Sequence, residues 1–219
     1  MANQLRSTHI STRLSTPVIS PNQDPDSVPE DMTFHFGENR TFFLNPYVYD
    51  DLRVPVDTVS KFGIRDPDWV LFGDDHILLS FDALSNPNAE EECFFTAQLP
   101  HSYAEGTNLK PHVHWVGSDT NAGNVRWKLS YRWANIDEAF PINNSIYVEG
   151  ANSSTENYHN LTEFADIDGT GKKISSMIVC RLSRNSSHEN DTYESPALLL
   201  EFDFHFELNN IGSRQELIK

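Results

Sequence analysis

The chain has little cysteine, little positive charge and no long apolar run, and each shortage removes a class of protein. Two cysteines in 219 residues, Cys93 and Cys180, make no disulfide framework. Both lie in apolar, strand-like stretches, so we expect them to be core side chains rather than nucleophiles. Sixteen Lys and Arg against 32 Asp and Glu give a formal net charge of -16. Such a surface repels phosphate backbones and anionic lipid, so neither nucleic acid nor a membrane is an expected partner. No window approaches the roughly eighteen consecutive apolar residues of a spanning helix. The opening MANQLRSTHISTRLSTPVIS lacks the apolar stretch of a secretory signal. A Gly-x-Ser-x-Gly elbow, a phosphate loop and a dinucleotide fingerprint are also missing, which removes the usual signatures of nucleophilic and nucleotide chemistry.

What is present reads as β-structure. Residues 1–31 carry Pro17, Pro21, Pro25 and Pro29 among Ser and Thr, with scattered Leu5, Ile10, Leu14, Val18 and Ile19. This segment is too poor in apolar surface to fold alone, and we expect an extended N-terminal arm, either disordered or ordered by lying along a neighbouring subunit. Residues 32–219 are expected to form one domain, an antiparallel β-sandwich of jelly-roll type. The strand candidates are Thr41–Leu44, Trp69–Phe72, His76–Phe81, Glu92–Gln98, Lys110–Val116, Val125–Ala134, Ser145–Val148, Met177–Arg184 and Leu198–Leu208. Turn residues separate them, as in Phe72-Gly73-Asp74-Asp75, Ser85-Asn86-Pro87-Asn88 and Asp166-Ile167-Asp168-Gly169.

Two of these runs alternate cleanly. Val125, Trp127, Leu129, Tyr131 and Trp133 share one face of their strand, with Arg126, Lys128, Ser130 and Arg132 opposite. Likewise Leu200, Phe202, Phe204, Phe206 and Leu208 line one side of theirs, leaving Glu201, Asp203, His205 and Glu207 on the other. The acidic groups Glu90-Glu91-Glu92 and Asp50-Asp51 read as solvated faces.

The sharpest chemical feature is Pro111-His112-Val113-His114-Trp115. Imidazoles at i and i+2 of a strand project from the same face, a spacing that can chelate a metal. His205, on a polar strand face, is a third candidate ligand, giving a His112, His114, His205 set within one subunit. Alternatively the His-x-His pairs of three copies meet on a threefold axis around one ion, or the rings only stack on Trp115 and hydrogen-bond across strands. No cofactor is expected beyond a possible ion at His112 and His114. With Gly106, the segment resembles the opening Gly-x5-His-x-His of the cupin metal motif, and cupins are jelly rolls. The match spans about ten residues; Asp119 stands at best where Glu is expected, and no second cupin motif follows.

A broader resemblance rests on Phe94-Phe95-Thr96-Ala97-Gln98-Leu99-Pro100-His101-Ser102-Tyr103, on Glu105-Gly106 and the His-x-His segment, and on Gly123-Asn124-Val125-Arg126-Trp127 and Trp133-Ala134-Asn135-Ile136. It continues through Phe202-Asp203-Phe204-His205-Phe206 and Gly212-Ser213-Arg214-Gln215-Glu216, so it covers roughly residues 40–219. These residues resemble a group of tailed-bacteriophage and prophage virion proteins. The resemblance implies a non-enzymatic structural role in the phage particle, made in the host cytoplasm. The expected form is a homotrimer that contacts the major capsid protein as a cement or decoration protein. A tail-fibre or receptor-binding module, using loops 117–124 and 149–157, is the first alternative, and a cupin-like metalloenzyme is the second. Tyr47, Tyr49, Trp69 and Tyr103 are the aromatics we expect at subunit contacts.

Overall fold

In a computed structural model, residues 48–63, 65–83 and 90–218 are described in full, and Phe34–Phe36 and Phe42–Leu44 as strand backbone. The expected arm, the turn at 85–88, Thr41 and Tyr47 lie outside the described residues.

The strands are β1 Phe34–Phe36, β2 Phe42–Leu44, β3 Val48–Pro55, β4 Asp68–Phe72, β5 His76–Phe81 and β6 Glu91–Gln98. They continue with β7 Lys110–Gly117, β8 Asn124–Ala134, β9 Asn144–Ala151, β10 His159–Glu163, β11 Met177–Arg184 and β12 Ala197–Leu208. Helix is limited, among the described residues, to one 3-10 turn at Val56–Thr58. Among the described residues, no helix is long and apolar enough to cross a membrane.

The pairing defines the fold. β5 pairs with β12, β6 with β11, β7 with β10 and β8 with β9, every pair antiparallel. Nested pairs of this kind, divided between two facing sheets, make a jelly roll. One sheet runs β10-β7-β12-β5-β4, with β3 beside the second half of β12; the other runs β6-β11-β8-β9. The β-sandwich expected from the sequence is therefore the fold observed.

Between the sheets lies an aromatic core. Phe95 of the four-stranded sheet meets Phe202 of the larger one at 5.0 Å between centroids, and Trp127 meets Phe81 edge-on at 5.2 Å. Trp115, Trp127, Phe202 and Phe204 are fully buried, as are Cys93 and Leu129. Cys180 is buried too, so both thiols are core, and burial pushes that of Cys93 up to about 12. Tyr103, expected at a subunit contact, is instead fully buried, with its hydroxyl bonded to the Thr107 carbonyl.

Two corrections concern strand faces. The β12–β7 register shifts between Leu199 and Glu201, a bulge that lets both Leu199 and Phe202 face the core. Leu200 consequently leaves the stripe in which alternation had placed it and packs with Leu78, Val116 and Leu198 in a small apolar cluster outside the main core. Nor is the Glu90-Glu91-Glu92 run simply solvated: Glu90 is 3.1 Å from Lys128 Nζ and Glu92 is 2.9 Å from Arg181, forming a charge ladder across the four-stranded sheet.

Candidate metal centre

The outer face of the larger sheet gathers four histidines. In β7, Val113 and Trp115 enter the core, so His112 and His114 must project outward. In β12, Phe202, Phe204 and Phe206 point inward, which turns Asp203 and His205 to the same outer face. Register then decides the neighbours: Asp203 lies opposite His112 on one side and Arg53 of β3 on the other, and His205 lies opposite Asp51. β10 brings His159 alongside, with its ring 4.8 Å from that of His114.

The contacts are short. His112 Nε2 is 2.5 Å from Asp203 Oδ1, and His114 Nε2 is 3.4 Å from Oδ2. His114 Nδ1 and His159 Nε2 are 2.6 Å apart. The side chains of His112 and Asp203 are 3% and 5% exposed, so this polar group is buried although it sits on a sheet exterior. Arg53 closes one side through a two-pronged contact with Glu201 at 2.5 Å. Next to it runs an open groove that reaches His114, His159 and Asp203.

Burial and charge oppose one another here. Burial works to raise the Asp203 carboxyl, but its contacts with His112 and His114 outweigh that and bring it down to about 2. Burial likewise disfavours charge on His112, yet Asp203 beside it leaves its pKa raised. His159 is lowered, by burial first and then by His114. The group thus favours an ionised Asp203 beside a protonated His112, both shielded from water.

Family models, curated proteins and solved structures gave no match to this chain. The site is therefore read from its geometry alone.

That geometry unites His112 and His114, as their spacing implies, but supplies Asp203 as the third donor. The donor atoms of His112, His114 and Asp203 lie within 4.8 Å of one another. His205 is close, its ring 4.3 Å from that of His112, but its Nε2 contacts Asp51 at 2.9 Å, so it belongs to a second grouping with Asp51 and Asp203. Asp119 takes no part: it accepts from the Tyr193 hydroxyl and the backbone N–H of Asn121 at 3.1 and 2.9 Å, in the loop after β7. His159 carried no signal in the sequence, because its short strand shows no apolar alternation.

Proposed function

We propose that this chain is a non-enzymatic structural protein of a bacteriophage particle, a homotrimeric jelly roll that cements or decorates the head by binding the major capsid protein. The observation that carries the non-catalytic reading is the filled interior. Where a jelly roll can hold a ligand between its sheets, this one holds Trp115, Trp127, Phe81, Phe95 and Phe202 in contact. The histidines face away from that space, which weighs against a cupin-like enzyme. Placement in a virion rests on the resemblance of residues 40–219 described above.

Self-association has its own support. The six-stranded sheet overhangs the four-stranded one at β4 and β5. Leu71 lies opposite Ile77, and Trp69 opposite the core residue Leu79, so these side chains share the inner face. Beyond the smaller sheet they are uncovered: Leu71 is 68% exposed, Ile77 59% and Trp69 43%. An apolar ledge beside a strand that, among the described residues, is paired on one side only is suited to a subunit contact.

The test is the molar mass of the purified protein by light scattering, followed by its binding to undecorated heads. A trimer that binds heads is the expected result. Leu71→Asp should shift the trimer toward monomer by placing a charge on the ledge. A monomer that ignores heads would sink the cement reading; adhesion to host cells instead would favour the tail module.

A further inference from the structure

We propose that His112, His114 and Asp203 form a binding site for one zinc-class divalent cation on the outer face of the larger sheet. The proposal does not depend on the role in a particle.

Lone pairs carry the argument. His112 Nδ1 lies 3.4 Å from the Lys110 carbonyl, a contact that orients the ring with Nε2 turned to Asp203. Nε2 is 2.5 Å from Asp203 Oδ1, a buried oxygen without an aligned hydrogen-bond donor. A proton can join the two in the metal-free protein, and a divalent cation that both ligate can take its place. On the other side, His114 Nε2 faces Oδ2, and a proton on its Nδ1 can be donated to His159 Nε2 at 2.6 Å. Each ring would then ligate through one nitrogen and be oriented through the other, the usual arrangement for metal-bound histidine.

Size and access fit as well. Zinc bonds of about 2.0–2.2 Å separate tetrahedral ligand atoms by about 3.3–3.5 Å. The 3.4 Å between His114 Nε2 and Asp203 Oδ2 already meets this, and the 2.5 Å between His112 and Oδ1 needs a modest opening of the pair. Two imidazoles and one carboxylate suit zinc and its neighbours better than calcium or magnesium, which prefer all-oxygen shells. The groove reaching His114 and Asp203 gives the ion a way in and leaves a fourth position for water. His205 is left out because Asp51 already holds its Nε2.

The full chain, stripped with a chelator and dialysed against zinc chloride, should retain one zinc per chain by elemental analysis. Its melting midpoint should rise by about 5–10 °C when zinc exceeds the dissociation constant a hundredfold. His114→Ala should abolish both effects, and Asp203→Asn should weaken binding at least tenfold. His188→Ala, in the loop after β11 and away from these residues, should change neither. Circular dichroism of the stripped variants checks that they are folded. Absence of retained zinc in the wild type, or equal retention by folded His114→Ala, would overturn the proposal, the second outcome pointing to adventitious binding by surface histidines.

Discussion

Two buried polar groups in this molecule are built on opposite plans. Arg184, at the end of β11, is fully enclosed, and all five of its N–H donors find acceptors. Nε and Nη2 reach the two oxygens of Asp191 at 3.0 and 2.7 Å; Nη1 reaches the carbonyls of Phe81 and Ser195 at 3.0 and 2.8 Å; Nη2 also reaches the Tyr193 carbonyl. Asp191 in turn accepts from the backbone N–H of Arg126. The His112–His114–Asp203 group has the reverse character, rich in acceptors and short of aligned donors. A closed network specifies structure; an open one leaves a place for something to bind.

If that distinction is right, disrupting the closed network has the largest effect. Arg184→Ala strands the Asp191 carboxylate and three carbonyls and unties β11 from the end of β5 in the opposite sheet. Loss of one partner of such a pair costs about 3–5 kcal/mol, which lowers the melting midpoint by roughly 10 °C. Urea unfolding followed by tryptophan fluorescence measures it. A change below about 1 kcal/mol would show that water takes over the vacated bonds and that the network is not closed.

The same contrast explains what could be read from the residues alone. β8 was legible because Val125, Trp127 and Leu129 recur with period two and all enter the core. β10 was not, because its pattern is inverted: Asn160 and Thr162 are buried while Leu161 is half exposed. Thr162 faces inward to accept the Trp115 indole N–H at 2.9 Å, and Asn160 bonds the side chain of Asn152. β3 was missed for a related reason, since only Leu52 and Val54 turn to the core among acids and a proline. In the site, the two histidines announced themselves by spacing within one strand. Asp203 did not, because its meeting with His112 depends on the β12–β7 register, which a bulge resets.

A third buried group sharpens the comparison through pH. Glu91 is half-buried, and its Oε2 accepts the backbone N–H of Asp82 at 2.7 Å. Burial, helped by the charges of Asp82 and Asp68, pushes its carboxyl up to about 7. An acid whose folded value is raised binds a proton more tightly when folded. Its stabilising contribution is therefore complete below its unfolded value of 4.5 and is lost as pH rises through 7. Allowing for partial exposure, the loss is about 1–2 kcal/mol. Glu91→Gln should flatten this part of the stability profile between about pH 5 and 8 and make the variant the more stable protein at the alkaline end. Parallel profiles for the two proteins would mean that solvent screens Glu91 fully.

The smallest effect is expected where the open plan predicts it. His114 lies at the rim of its group, with 22% of its side chain exposed and His159 as its nearest ring partner. In metal-free protein its removal leaves no strand unpaired and no core side chain uncovered, because the residue contacts only the outer face. His114→Gln should therefore shift stability by less than about 1 kcal/mol in the presence of chelator, while Arg184→Ala is severely destabilised under the same conditions. A loss comparable to that of Arg184→Ala would mean that His114 braces the sheet, and the contrast between a structural and a binding network would fail at the residue where it is easiest to measure.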